Sequence, residues 1–387
     1  MTKALKQHYQ WEGKIEVVSR AQVKTKEDLS IAYSPGVADA CNQIVANPDD
    51  VYKLTRKHNL VGVITNGTAV LGLGDIGPQA SMPVMEGKAI LFKEFAGVDA
   101  FPICLKTKDV DEFVNTVIQI SDSFGAINLE DIAAPECFEI ERQLIEKLDI
   151  PVFHDDQHGT AIIVGASLIN ALKLYNKQME SIKIVINGAG AAGIAIAKHL
   201  LILGAKHITL VDKKGILNSK YPNIGSEQKL MLKHTNLDDV SGTLQDALKD
   251  ADVFIGVSAA NILSAEDISL MNKNPFVFAM ANPIPEIMPD EAKKGGAVIV
   301  GTGRSDMPNQ INNVSAFPGI FKGALMVRAS KIDESMRLAA SYAIADLVKD
   351  DELNDEYIIP NPLDERVVPA VAEAVKQAAI KAGLARI

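Results

Sequence analysis

The sequence predicts an α/β protein organised around a doubly wound parallel sheet, and three observations lead to this fold class. Short, nearly continuous apolar runs recur along the chain, as is typical of strands buried on both faces. Longer segments with apolar residues at helical spacing separate many of these runs. Near the middle of the chain, a glycine-rich turn joins one such run directly to one such helix. We therefore predict a Rossmann-type doubly wound domain with a second, N-terminal α/β domain before it.

Length and composition narrow the class of protein. The chain has 387 residues, which is long for one core, so we expect two domains, 1–155 and 156–387. Helices near 333–387 are expected to pack back on the first domain. The formal net charge is −10 and no long Lys/Arg run is present, so no nucleic-acid partner is expected. Without an apolar leader or a membrane-length apolar stretch, and with three scattered cysteines, the chain is expected to be cytoplasmic, with no membrane partner.

The glycine-rich turn has the pattern of a dinucleotide-binding fingerprint. An apolar run from Ile182 to Ile186 precedes it, and an apolar helical run follows. Gly188 would make the tight turn, Gly190 would let the backbone approach a pyrophosphate, and Gly193 would let the helix pack closely on the strand. The free N–H groups of the helix N-terminus suit the phosphates. We predict a nucleotide site here, with a glycine turn used only for packing as the alternative. The turn consists of Gly188, Ala189, Gly190, Ala191, Ala192 and Gly193.

The next strand bears on the choice between NAD and NADP. The apolar run from Ile208 to Val211 ends in Asp212. A carboxylate at this strand end accepts hydrogen bonds from a ribose diol and repels a 2′-phosphate, which favours NAD. Lys213 and Lys214 follow at once and could pair with that phosphate instead. We expect NAD, with NADP as the open alternative.

Acidic residues follow two apolar runs in the first half of the chain. Ala126 to Leu129 and Ile150 to Phe153 flank a helical segment, so they are expected to form a β-α-β unit with parallel strands. Their carboxyl ends should then meet at the ligand-binding edge of the sheet. Crowded carboxylates repel one another unless they are protonated or bridged by a cation, and their oxygens suit Mg²⁺ or Mn²⁺. The acids are Glu130, Asp131, Asp155 and Asp156.

Two alternatives to that metal site remain open. Asp131 or Asp156 could cap a helix, or the acids could be solvated loop residues. His154 and His158 flank the acids in a predicted loop before a helix from Gly159, and they could indicate a transition metal.

Three further segments have ordinary structural interpretations. Ser34 is expected to cap a helix, with Tyr33 packing just before it. Lys88 would lie in a helix that starts near Pro83, with its ammonium group reaching solvent. Asn282 ends an apolar run, where it could donate to a carboxylate or a nicotinamide amide, or simply form an Asn-Pro turn.

Another glycine-rich segment, Gly72 to Gly77, also has the formal G-x-G-x-x-G spacing. Pro78 follows it and the next helix is expected only near Pro83, so we do not predict a second nucleotide site. The preceding dipeptide Asn66-Gly67 is typical of a hairpin turn.

Taken in order, several blocks resemble those of the malic enzyme family, of the short bacterial type. The resemblance runs from about Tyr33 to the last helix. The blocks are Tyr33 to Val37, Leu71 to Asp75, Glu86 to Ala89, Leu129 to Asp131, Phe153 to Ala161, the glycine turn, Ala281 to Pro283, and Asn312-Asn313.

The resemblance implies an enzyme that converts (S)-malate to pyruvate and CO₂ by oxidative decarboxylation, with reduction of NAD or NADP, as a homodimer. It implies that Lys88 is the general base, Tyr33 the general acid, and Asp155 an acid beside the base. It implies that a divalent cation, Mg²⁺ or Mn²⁺, is bound by Glu130, Asp131 and Asp156. It further implies that Asn282 and Asn313, together with Lys88, contact substrate, and that Asn282 also contacts the nicotinamide.

One departure and two alternative functions accompany this resemblance. Larger relatives have an arginine that contacts a substrate carboxylate just before the Leu71 block, where this chain has Ala69. The same site could mainly decarboxylate oxaloacetate. A non-catalytic dinucleotide-binding sensor would lack the base or a metal ligand, and this sequence has both.

Overall fold

The computed structural model describes residues 1–70 and 72–387 and contains two separate sheets. Leu71, the first residue of one block named above, lies outside the described residues. The α/β class and the Rossmann-type sheet predicted from the sequence are confirmed. None of the described helices is both long and apolar enough to cross a membrane.

The first sheet has four parallel strands in the order β2-β1-β3-β4. The predicted β-α-β unit is confirmed, because β3 and β4 pair in parallel with Leu129 opposite His154. That register brings the residues that follow both strands to one edge. The strands are β1 Leu60–Thr65, β2 Asp99–Cys104, β3 Ala126–Leu129 and β4 Val152–His154.

The second sheet has six strands in the order β10-β9-β8-β5-β6-β7, all parallel except β7. The chain order reverses at β5, and open α/β sheets bind ligands beyond the carboxyl ends of the strands at such a point. The strands are β5 Lys183–Asn187, β6 His207–Asp212, β7 Gly215–Ile216, β8 Val253–Gly256, β9 Phe276–Ala279 and β10 Ile299–Thr302.

Helices cover the faces of both sheets. They are α1 Lys3–Trp11, α2 Lys26–Ala32, α3 Val37–Ala46, α4 Val51–Leu54, α5 Gly77–Ala96, α6 Val110–Ile120, α7 Glu136–Lys147, α8 Asp155–Tyr175, α9 Ala191–Ile202, α10 Ser226–Met231, α11 Leu244–Leu248, α12 Ala265–Ile268, α13 Pro289–Lys294, α14 Phe317–Met326, α15 Glu334–Ala345 and α16 Val367–Lys381.

Two helices begin earlier than the sequence predicted. Helix α5 begins at Gly77 with Pro78 in its first turn, and it continues through Pro83. A helix therefore does grow out of the Gly72 to Gly77 segment. Helix α8 begins at Asp155 rather than Gly159, so the acids of this segment lie in a helical turn and not in a loop. Acidic side chains stabilise the positive end of a helix, which favours this earlier start.

Two turn predictions were wrong. Ser34 caps no helix, because α3 begins at Val37 with Gly36 at its N-cap. Asn66-Gly67 forms no hairpin, because β1 pairs in parallel with both of its neighbours.

One continuous core joins the two sheets through the last helices. Phe92 of α5 packs edge-on against Phe317 and Phe321 of α14, with ring centroids 4.8 and 5.1 Å apart. The same core cluster contains residues of β1, β5 and α16. At the C-terminus, Arg386 Nη1 lies 3.4 Å from Oδ2 of Asp149, a residue just before strand β4 of the first sheet. The terminal helices therefore bring α5 and the second sheet into one packed unit.

Candidate active site

Lys88 lies in the interior, where it contacts two of the predicted acids. Only 8% of the residue is exposed, so it does not reach solvent as its helical position had suggested. Its ammonium nitrogen lies 2.6 Å from Asp155 Oδ2 and 2.9 Å from Glu130 Oε1. The same nitrogen lies 4.3 Å from the centroid of the Phe317 ring, a cation–π distance. Helices α5, α8 and α14 and strand β3 therefore meet at this lysine.

Burial and neighbouring charges shift the pKa of Lys88, Asp155 and Glu130. Burial lowers the pKa of Lys88, but the carboxylates of Asp155 and Glu130 outweigh burial and raise it overall. Burial raises the pKa of both acids to about 7, against the opposing charge of Lys88. The lysine is therefore protonated in this arrangement, and the acids are poised to titrate near neutral pH.

Three carboxylates converge beside this lysine. Glu130, Asp131 and Asp156 each present one oxygen, and these oxygens all lie within 4.8 Å of one another. The backbone N–H of Asp131 donates to Asp156 Oδ2 at 2.8 Å, and Asn128 Nδ2 donates to Glu130 Oε2 at 2.8 Å. Burial raises the pKa of Asp156 to about 6. Such a buried group of hard oxygen donors fits Mg²⁺ or Mn²⁺.

The two flanking histidines do not join this group. His158 Nε2 lies 2.8 Å from Glu141 Oε1, and Arg337 Nη1 lies 2.8 Å from His158 Nδ1. His154 is fully buried, and burial lowers its pKa to about 4. Within the described part of the chain, the cluster with metal-ligand spacing contains carboxylates alone. The geometry thus favours a hard divalent cation over a histidine-bound transition metal.

The glycine turn has the shape that a dinucleotide requires. Helix α9 begins at Ala191 with Gly190 at its N-cap. A Cβ on Gly193 would lie 1.8 Å from the carbonyl oxygen of Gly188, so a side chain there is excluded. A Cβ on Gly190 would have no neighbour within 4 Å, which leaves open space before the helix N-terminus. These residues fit a bound pyrophosphate.

The other predicted ligand contacts lie at the strand ends or beside α8. Asp212 is the last residue of β6, and its Oδ1 accepts the N–H of Lys213 at 2.8 Å. Asn282 follows β9. Its backbone carbonyl oxygen lies close to Gly72, and a Cβ added to that glycine would be 3.0 Å from this oxygen. Asn313 Cβ would lie 3.1 Å from a Cβ on Gly159, one turn along α8 from the acids.

Tyr33 is not brought to this site in the single chain. It follows α2 and is 69% exposed, and no hydrogen bond or ring contact joins it to Lys88 in the described residues. Ala69 is also exposed, and its N–H donates to the carbonyl oxygen of Asp131 at 3.0 Å. The backbone at the position where the resemblance implies an arginine in larger relatives therefore hydrogen-bonds to a residue of the acidic cluster.

Sequence reasoning missed three residues that contact the site. Phe317 lies over the lysine, Asn128 holds Glu130, and Glu141 holds the segment before Asp155. Only Glu141 had a usable signal, because it stands in the buried stripe of α7 where an apolar residue is normal.

Two family models match most of the chain. Residues 12–109 and 106–145 match the family model for the malic enzyme N-terminal domain. Residues 157–380 match the family model for the malic enzyme NAD-binding domain. The chain belongs to the malic enzyme family. The resemblance found in the sequence blocks is thereby confirmed.

Relatives within the malic enzyme family align over nearly the whole chain. The bifunctional malic/malolactic enzyme of Bacillus subtilis is 57% identical over 385 residues, covering 99% of this chain and 94% of that protein. The NADP-dependent malic enzyme of Halomonas elongata is 46% identical, covering 97% and 92%. The crystal structure of the malic enzyme from Pyrococcus horikoshii superposes with a TM-score of 0.94 at 46% identity, covering 99% of this chain and 92% of that one. The NAD-dependent malic enzyme structure from Thermotoga maritima gives 0.93 at 49% identity, covering 97% and 99%.

Proposed function

We propose that this malic enzyme converts (S)-malate to pyruvate and CO₂ by oxidative decarboxylation, with reduction of NAD or NADP and with Mg²⁺ or Mn²⁺. The observation that carries the proposal is the contact of buried Lys88 with Asp155 and Glu130, beside a cluster of three carboxylates. A lysine paired in this way can move a proton, and the cluster can hold a cation at the same place. The names of the relatives support the same reaction.

In this mechanism Lys88, in its neutral form, accepts the proton of the C2 hydroxyl group of malate. Asp155, at 2.6 Å, keeps the lysine nitrogen in place and stabilises the ammonium group that results. The glycine turn and the N-terminus of α9 would hold the pyrophosphate of NAD or NADP, and the nicotinamide would supply the hydride acceptor for C2. A cation bound by Glu130, Asp131 and Asp156 would act as a Lewis acid toward the C2 oxygen and would favour neutral Lys88.

Tyr33 is proposed as the acid that protonates C3 of the product enol. Its phenol is exposed in the single chain, so this role requires Tyr33 to approach the lysine on substrate binding or on association of two subunits. Two variants test the role. Tyr33→Phe should slow release of pyruvate from oxaloacetate while leaving NADH binding intact, whereas Tyr9→Phe, also exposed, should change neither.

A homodimer is proposed from the exposed apolar surface of the N-terminal helices. Helices α1, α2 and α3 have no buried residue, although several large apolar side chains lie on them. Apolar patches of this kind mark interaction surfaces, and the family resemblance makes a second copy the expected occupant. Light scattering should give twice the chain mass, and Ile31→Glu should give monomers. A wild-type monomer would contradict the proposal. The exposed apolar residues include Leu5, Tyr9, Trp11, Leu29, Ile31, Tyr33 and Val45.

The decisive experiment is malate-dependent reduction of NAD and of NADP, followed by the absorbance of the reduced nucleotide, with Mn²⁺, with Mg²⁺ and with a chelator. We expect reduction that a chelator abolishes and either cation restores. Reduction that persists in the chelator would refute the cation's role. Faster loss of oxaloacetate without nucleotide than oxidation of malate would instead favour a decarboxylase.

A second candidate function is conversion of malate to lactate, which the name of the Bacillus subtilis relative raises. In that reaction the hydride taken from malate would return to the pyruvate at the same site, and no NADH would accumulate. Measuring lactate and NADH in the same reaction distinguishes the two. Lactate in excess of NADH would favour the malolactic reaction.

We also propose that residues 1–155 form the domain that holds the substrate, the base, the acid and part of the cation site, and that residues 156–387, which include Asp156, form the nucleotide domain. The separate four-stranded and six-stranded sheets support this division. Helix α14 packs on α5, α15 packs on α8, and α16 packs on both α14 and α15. We therefore expect the terminal helices to belong structurally to both domains.

A further inference from the structure

A buried carboxylate on α7 holds the first turn of α8. Glu141 is only 7% exposed and accepts three hydrogen bonds from this turn. They come from the backbone N–H of His154 at 3.1 Å, from Gln157 Nε2 at 3.2 Å and from His158 Nε2 at 2.8 Å. The two acids that contact Lys88 and the cation cluster lie between these donors in the chain.

This contact fixes the start of a helix that has no side-chain cap. The first backbone N–H groups of a helix need acceptors, which a side chain at the N-cap usually supplies. The N-cap residue of α8 is His154, and it makes no side-chain capping bond. Glu141, from another helix, instead accepts the N–H of His154 itself. Together with the β3–β4 pairing, this carboxylate therefore anchors the β4–α8 junction.

Helix α15 supports the same carboxylate from its far side. Arg337 Nη1 donates to His158 Nδ1 at 2.8 Å, which makes Nδ1 the acceptor and leaves the proton on Nε2. His158 Nε2 then donates to Glu141 Oε1 at 2.8 Å. A second bond, from Ser341 Oγ to the carbonyl oxygen of Ile162, also joins α15 to α8. The chain Arg337–His158–Glu141 thus links three helices at the turn that carries the acids.

We propose that Glu141 is a positioning residue for the divalent cation: it fixes the first turn of α8 so that Asp156 reaches Asp131 and Asp155 reaches Lys88. The inference rests on the cation site proposed above. Asp156 meets the backbone N–H of Asp131 at 2.8 Å, a contact that a small movement of α8 would break. Groups that hydrogen-bond around metal-ligand segments set the precision of those ligands.

Direct titration with Mn²⁺ tests this inference. We compare the wild type, Glu141→Gln and the matched control Glu139→Gln, a partly exposed position on the same helix that pairs with Arg142 and Gln143 of that helix. Free Mn²⁺ is followed by electron paramagnetic resonance in nucleotide-free protein. Glu141→Gln should weaken Mn²⁺ binding by about 10- to 100-fold, the usual loss when such a group is altered. The control should stay within about twofold, and both variants should bind NADH as the wild type does.

The outcomes separate this inference from the proposed function. If the wild type binds no Mn²⁺, the cation site itself fails. If it binds Mn²⁺ and folded Glu141→Gln binds equally well, the positioning role is overturned. Circular dichroism establishes folding. Should Glu141→Gln not fold, Arg337→Met decides by the same titration: weaker Mn²⁺ binding supports the role, and unchanged binding overturns it.

A second readout distinguishes positioning from general destabilisation. If Glu141 acts through the cation ligands, the turnover number of Glu141→Gln should recover toward the wild-type value at saturating Mn²⁺. The Mn²⁺ concentration for half-maximal rate should rise with the dissociation constant. A turnover number that stays low at saturating Mn²⁺, with an unchanged half-maximal concentration, would contradict a role through the cation.

Discussion

Each sheet has a candidate site beyond the carboxyl ends of its strands. The nucleotide site of the second sheet comes from one short segment of sequence, whereas the lysine–carboxylate site of the first sheet comes from several distant segments. Beyond β5, the nucleotide-binding shape lies within one turn, where Gly193 packs directly against the carbonyl of Gly188. Beyond β3, the site is assembled from Lys88 of α5, Glu130 after β3 and Asp155 of α8. A local motif identifies the first edge, whereas only tertiary packing reveals the second.

The two G-x-G-x-x-G segments repeat this contrast. In the segment that ends at Gly193, a Cβ on the last glycine would overlap backbone, so close approach requires glycine. In the segment from Gly72 to Gly77, a Cβ on Gly74 or Gly77 would meet nothing within 4 Å, but φ is +72° and +78°. There glycine is required by the left-handed backbone. The same spacing thus serves two physical needs, and both segments lead into a helix.

Substitution of Lys88 should give the largest difference between the two edges, because it should lower kcat and leave nucleotide binding unchanged. Lys88→Gln should lower kcat by ~10²- to 10⁴-fold, the range for loss of a general base. Its dissociation constant for NADH should not change, because the glycine turn is untouched. Lys93→Gln, at an exposed position on the same helix, is the control. Steady-state kinetics and a fluorescence titration with NADH measure both quantities. Activity of Lys88→Gln close to that of the wild type would refute the assignment.

Gly190→Val should have the opposite effect, because it should weaken nucleotide binding and leave cation binding unchanged. The added side chain meets open space in the protein, so the variant should fold and bind Mn²⁺ normally. It would fill the space that the pyrophosphate needs, and binding of NADH should weaken by roughly 10- to 100-fold, as 1–3 kcal/mol of overpacking gives. Calorimetric titration with each ligand checks this. Unchanged NADH affinity would mean that the nucleotide does not lie against this turn.

The two edges also differ in how much of their structure the sequence predicts. Strand β3 matched its expected bounds, and the β3–β4 pairing followed from general rules of chain connection. Lys88 had an ordinary helical context, so its burial could be inferred only from the family resemblance. The start of α8 was misplaced because the acids before Gly159 were assigned to a loop. Interior charge pairs depend on neighbours distant in the sequence, and no local pattern contains them.

Asp212 offers a smaller test at the nucleotide edge. Its carboxylate ends β6, and exposed Lys213 and Lys214 follow it. Asp212→Ser should raise the ratio of NADP to NAD efficiency on the order of tenfold, because a modest surface repulsion is removed. The ratio of kcat/KM for the two cofactors measures it, and Lys206→Ser, exposed before β6, serves as the control. An unchanged ratio would indicate that Lys213 and Lys214, and not Asp212, determine the preference between NAD and NADP.

The pH dependence of stability should give the smallest effect, and the contribution that distinguishes the two edges comes from the acids beside Lys88. Burial raises the pKa of Glu130 and Asp155 to about 7 and of Asp156 to about 6, all above their unfolded values. At these three carboxylates the folded protein therefore binds more protons than the unfolded chain, so their contribution to cation-free stability falls as pH rises from about 4 to 7. The buried histidines, whose pKa burial lowers, contribute with the opposite sign in this range.

Thermal unfolding in a chelator should accordingly show Tm decreasing across this range relative to Glu130→Gln, which cannot titrate at that position. Mn²⁺ should reverse the trend for the wild type, because a bound cation favours ionised carboxylates and stabilises the folded state by mass action. Gly190→Val should follow the wild type in both conditions, since its change lies at the other edge. A wild-type Tm that rises with pH in the chelator as steeply as that of Glu130→Gln would show that these acids are already ionised, with Lys88 compensating their charge.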